Sequence, residues 1–170
     1  MKQSFILALF LLGLIKITVA QDDKYKALFI YNFTKHIEWP AADKSDDFVI
    51  GVVNSNGIYD KMVEICTGKK VGNQDIVIQK FKSTDEVTKC HILFVAQSSS
   101  GGSNFETILA KTSGTSTLLV TERPGLAKKG SIINFVVQDE KLKFELNKSA
   151  LAKNNLKVSS YLENLAVLVN

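Results

Sequence analysis

Cys66 and Cys90, His36 and His91, and the turn Gly51–Gly57 are where residue type and spacing could do chemistry in this chain. The chain has only these two cysteines. A bridge between them closes the loop from 66 to 90, for which chain entropy gives about 3.5 kcal/mol before strain. The other arrangement is two separate buried thiols. No metal site is expected, because two cysteines beside His91 lack the paired ligand spacing that zinc takes. His36 falls near the end of a helical pattern, where a cation is favourable against the helix dipole. His91 opens an apolar run. Both histidines read as structural. No nucleophile elbow, phosphate loop or His-Glu-x-x-His pattern is present, so neither catalytic residues nor a cofactor are expected. Asp46-Asp47 and Asp139-Glu140 sit in turns and read as solvated charge. Gly51–Gly57 joins a strand to a helix, and free N–H groups at that helix start could hold an anion. Asn54 and Asn56 flank that turn. With Tyr31, His36 and Trp39 they are the candidate contacts for a partner or ligand, although aromatics at helical spacing more often pack in a core.

The compartment follows from the first residues. Residues 1–20 carry Lys2, an apolar run from Phe5 to Ile15, and the small-residue end Thr18-Val19-Ala20. That is the form of a secretory signal peptide, and the run is shorter than the ~20 residues needed to span a bilayer. Residues 21–170 are then one exported domain, not membrane-embedded and large enough to build a core without disulfide staples. An oxidising compartment favours pairing of an even cysteine count. The net charge is +4, and Lys2 and Lys16 leave with the leader, so +2 remains. No basic stripe interleaved with aromatics appears, and nucleic-acid binding is not expected.

The elements that must position these residues follow from periodicity. Tyr25, Leu28, Phe29, Phe33 and Ile37 recur at helical spacing over 23–38, and Pro40 forces Trp39 out of helical geometry. Phe48–Val53 is a continuous apolar run suited to a strand buried on both faces. A short helix over 58–66, strands over 75–80, 91–95 and 117–121, and a helix over 105–111 alternate through the middle. Gln97–Ser103 is a Ser/Gly loop. Ile132–Val137 and Leu142–Leu146 flank a tight polar turn and read as a hairpin with one wet face. Asn147 caps a short helix. Ser160 and Glu163 form a capping box for a last helix with Leu162, Leu165, Ala166 and Val169 as its stripe. The expected fold is α/β: a three-layer sandwich with a mixed, mostly parallel central sheet, an antiparallel hairpin and flanking helices.

Several of these segments resemble one family in order and over nearly the whole mature chain. They are Ala27–Pro40 (ALFIYNFTKHIEWP), Phe48–Val52, Cys90–Phe94 (CHILF), Gly130–Phe135, Lys141–Asn147 and Leu156–Ala166. The chain is similar in them to the YfiR/HmsC-like periplasmic proteins. The resemblance implies a compact, non-catalytic α/β domain that represses a membrane signalling enzyme by binding its periplasmic sensor region. The enzyme implied is an inner-membrane diguanylate cyclase controlling cyclic di-GMP and biofilm, with a sensor kinase as the other partner class. Family members are often dimers, which implies a homodimer. The resemblance also makes Cys90 the redox-sensitive cysteine, with Cys66 its partner. The family's second cysteine pair is absent here. A small-molecule binding protein, with its crevice at Asn54–Gly57 and Gln97–Ser103, is the competing reading.

Overall fold

The computed structural model describes residues 22–169. The expected signal peptide, 1–20, lies outside the described residues. Residues 22–36 are helical (α1), and the chain then turns into the two-residue strand β1 (Ile37–Glu38). Pro40 follows, and Ala41–Asp43 forms a single 3-10 turn. The buried line of α1 is Ala27, Ile30, Phe33 and Ile37, with Phe29 partly buried beside it. Tyr25, which the periodicity set on the inner stripe, is half-exposed. The stripe is rotated, with Ala27 fully buried in its place.

The apolar run forms β2 (Phe48–Val53), followed by α2 (Asn56–Cys66), whose N-cap Ser55 accepts a hydrogen bond from the Ile58 N–H. Next come β3 (Lys70–Val71), β4 (Gln74–Phe81), β5 (Ile92–Val95), α3 (Ser103–Thr112) and β6 (Leu118–Thr121). The hairpin is β7 (Ile133–Gln138) and β8 (Lys141–Asn147). It is closed by Asp139 and Glu140, both at positive φ, which supplies the twist a two-residue turn needs. Asn147 caps α4 (Lys148–Lys153), as expected. Then follow β9 (Lys157–Val158), α5 (Ser160–Leu165) and β10 (Val167–Val169).

The main sheet runs β10-β8-β7-β6-β5-β2-β4-β3. The block β4-β2-β5-β6-β7 is parallel throughout, β7 and β8 pair antiparallel, and β10 lies parallel to β8. β1 and β9 form a separate antiparallel pair. Strand order reverses between β2 and β5, which is where open α/β sheets form their crevice. Alternate residues of each parallel strand supply two cores. Phe48, Ile50, Val52, Ile92, Phe94, Leu118 and Val120 meet α1, α2, α4 and α5. Val53, Leu93, Val95 and Leu119 meet α3 and Leu126 in a smaller core. This is the expected three-layer arrangement. An aromatic cluster pins α1 to the hairpin: Phe33 sits edge-on to Phe144 at 5.4 Å and Phe29 edge-on at 5.8 Å.

The C-terminus departs from expectation. The last helix stops at Leu165, its cap is Ser159 rather than Ser160, and Val167–Val169 is a strand. A stripe of Leu162, Leu165, Ala166 and Val169 fits a helix by spacing alone. The outer edge of β8 offers a row of unpaired backbone groups, however, and the β-branched valines suit pairing with it.

Candidate functional site

At the strand carboxyl ends the turn after β2 is closed by the chain's own groups, while clefts of about 620 and 490 Å³ stand open beyond β5 and β6. Asn54, at φ 52°, donates from Nδ2 to Ser99 Oγ at 2.9 Å and Ser98 Oγ at 3.2 Å. It thereby ties the loop after β2 to the loop after β5. At the start of α2, Gly57 lies against the carboxylate of Asp23, and a Cβ at 57 would fall onto Asp23 Oδ2. Asp23 thus stands where the sequence allowed an external anion. Burial pushes its carboxyl up from the ordinary value, against the pull of Lys26. Lys26 itself bridges Asp22 at 2.5 Å and Glu122 at 2.8 Å, and Glu122 accepts from the Gln97 N–H at 2.9 Å. Burial disfavours the Lys26 ammonium, but the hydrogen bonds to both carboxylates prevail and its pKa is raised. Asn56 is exposed beside this cluster.

At the opposite ends of the strands, Trp39 is core. It is 4% exposed, stands edge-on to Phe48 at 4.8 Å, and donates from Nε1 to the His91 carbonyl at 3.2 Å. Sequence reasoning undervalued His91. Its ring stacks on Phe48 at 4.4 Å. Nδ1 accepts from the Val49 N–H at 3.1 Å, which leaves Nε2 to donate to the Asp43 carbonyl at 2.8 Å. Gln74 donates to that carbonyl and to Asp46 O, and Lys89 pairs with the Asp43 carboxylate at 2.8 Å. The hydrogen bond and charge of Lys89 lower the Asp43 pKa. The 3-10 turn after Trp39-Pro40 is therefore clamped by Gln74 of β4 and by Lys89 and His91 of the segment leading into β5. The only sequence signal was a histidine at the head of a wholly apolar strand, where an imidazole needs a partner for each nitrogen.

The two cysteines are free and buried, and the expected bridge is not formed. Cys66 ends the buried face of α2 in the larger core, and Cys90 lies in the smaller one. Cys90 Sγ packs over Gly51, where a Cβ would meet Phe81 at 2.8 Å and the sulfur at 3.3 Å. The sheet runs between the two thiols, whereas a disulfide needs Cα atoms within about 7 Å and converging side chains. Burial pushes Cys66 up to about 11 and Cys90 up to about 12. Neither is a thiolate nucleophile at neutral pH.

Four of the five candidate contacts reach the surface: Asn54 and Asn56 are exposed, and Tyr31 and His36 are partly buried on structured scaffolds. The Tyr31 ring lies between the ammonium groups of Lys69 at 4.2 Å and Lys35 at 4.5 Å. His36 approaches Ser159 Oγ at 3.3 Å and the Tyr161 ring at 4.9 Å. Tyr161 is 62% exposed, and Leu165 and Leu168 follow it at 52% and 51%. These three apolar side chains lie on α5 and β10, the outermost strand of the sheet, and of them only Leu165 was on the expected helix stripe. Among the described residues there is no group of three or more His, Cys, Asp or Glu placed to hold a metal, and no helix is long and apolar enough to cross a membrane.

A family model described as YfiR/HmsC-like matches residues 23–167. It spans both strand ends and both cysteines and stops at the first residue of β10. No match is found among curated proteins.

Proposed function

The chain belongs to the YfiR/HmsC-like family, and from that premise we propose that it represses an inner-membrane diguanylate cyclase by binding the cyclase's periplasmic region. The family is one of periplasmic regulators of cyclic di-GMP signalling, regulatory rather than catalytic. In this reading the leader 1–20 exports a mature domain starting near residue 21.

The observation that supports the reading is an exposed apolar edge. Asn54 and Asp23 close the turn between β2 and α2 with the chain's own groups. Tyr161, Leu165 and Leu168 instead offer exposed apolar area beside an edge strand, the kind of surface that marks a protein interface. Repression is then occupancy: the regulator binds the inactive form of its partner better than the active one. Turning the partner from 99% active to 99% inactive takes about 5.5 kcal/mol of differential binding. Three anchors such as Tyr161, Leu165 and Leu168, at about 2 kcal/mol each in a desolvated patch, supply energies of that order.

The test is cross-linking of a tagged copy in the envelope of its own host, with the products identified by mass spectrometry. The reading expects a membrane diguanylate cyclase among them, and its loss with Leu168→Glu. A sensor kinase in its place would keep the regulator and replace the enzyme. No membrane signalling protein at all, with folded protein abundant in the envelope, overturns the reading.

A further inference from the structure

A cleft of about 270 Å³ opens between the end of α3, residues 128–130 and α4, and the ammonium groups of Lys128, Lys129 and Lys153 line it with Ser113 and Ser149. No carboxylate lines it. All three lysines are exposed and none forms an ion pair among the described residues. Neither serine hydroxyl is bonded within the described residues. The cleft's two asparagines are, by contrast, fully committed to the protein. Asn154 donates from Nδ2 to Thr112 O at 2.9 Å and Thr117 O at 2.7 Å, and accepts from the Gly114 N–H at 2.9 Å. Asn147 donates to Ala127 O at 2.7 Å and accepts from the Ala150 N–H at 2.8 Å. They hold the three walls in register, so the cleft has a rigid floor. The side-chain groups left over at its mouth are ammonium groups and hydroxyls, all of which can donate. Lys129 also borders a neighbouring cavity whose lining includes Arg123 and one carboxylate, Glu106.

We propose that this cleft binds a phosphate-bearing anion, held by Lys128, Lys129 and Lys153 with the hydroxyls of Ser113 and Ser149. Charged donors around an acceptor-only group make the strong class of hydrogen bond. Lysine serves as a mobile point charge that suits a tetrahedral oxyanion. None of these five residues lies on α5 or β10, so failure of the site leaves the repressor reading untouched.

The probe is inorganic pyrophosphate, titrated into the purified mature domain by calorimetry at fixed ionic strength. The expected result is saturable binding, weakened about tenfold by Lys129→Ala or by Lys153→Ala, the size of one lost charge-assisted hydrogen bond. Lys61→Ala, on α2, leaves it unchanged. Both cleft lysines are exposed, so circular dichroism of the variants is expected to match the parent and to separate loss of binding from loss of fold. A parallel arm cosediments the protein with phosphatidylglycerol vesicles and with phosphatidylcholine vesicles. Cosedimentation with the former alone, lost in the same variants, assigns the phosphate to a lipid headgroup. Pyrophosphate binding without cosedimentation assigns it to a soluble ligand. Absence of both, or binding that the lysine variants leave unchanged, overturns the proposal.

Discussion

Cys66 and Cys90 lie in separate cores on opposite faces of the sheet, with Gly51 making the space that Cys90 fills. The two thiols are therefore packing groups, and oxidation has no native pair to join. A melting curve with and without dithiothreitol is expected to give one Tm, and neither cysteine should react with a maleimide until the fold opens. A Tm that falls on reduction would show a bridge and a rearranged loop between 67 and 89.

Both thiols also set an alkaline limit. Their pKa values in the fold, about 11 and about 12, exceed the ordinary 9.0. A raised value means the stability they contribute is complete below about pH 9 and is lost as pH rises toward 11–12, where the unfolded chain has already released its protons. Urea unfolding across that window is expected to show a steeper decline in the parent than in a Cys66→Ala/Cys90→Ala variant. Equal slopes would count against this burial.

The contact of Gly57 with Asp23 is tested by a two-mutation cycle. Gly57→Ala is expected to destabilise by about 1–3 kcal/mol, the usual size of an overpacking strain, although alanine is the better helix former. Asp23→Ala removes the obstructing carboxylate and is expected to recover most of that loss. Additive effects would show that the two residues do not touch.

His91 is the clamp of the Trp39-Pro40 turn, and His91→Ala leaves the Val49 N–H without its acceptor and Phe48 without its stacked ring. We expect a loss of about 3–5 kcal/mol, combining a core truncation with an orphaned buried donor. A loss below about 1 kcal/mol would mean that the turn is held by Gln74 and Lys89 alone.

Periodicity and turn chemistry made the parallel strands, the hairpin and the Asn147 cap legible in the sequence, because each is a local pattern. β10 was not, since four apolar residues at positions 162, 165, 166 and 169 fit a helix and only the unpaired edge of β8 decides otherwise. The bridge was expected from cysteine count and compartment, which carry no information about which sheet face a residue meets. Trp39 shows the same limit: its position after the first helix was readable, but its burial against Phe48 comes from a strand start nine residues on. Asp23 over Gly57 is a contact between segments that no local window holds together. The candidate contacts accordingly divide, with Asn54 and Asn56 exposed, Tyr31 and His36 half-buried at the surface, and Trp39 in the core.

We propose that this domain holds a cyclase inactive through its α5–β10 edge. The most direct measurement is cellular cyclic di-GMP in a host lacking the protein, complemented with the parent or with Tyr161→Ala/Leu168→Glu. Both substituted residues are exposed, so the variant is expected to fold. The account predicts high cyclic di-GMP in the deletion, a return to the low level with the parent, and no return with the variant. Unchanged cyclic di-GMP on deletion, or full repression by the variant, would contradict it.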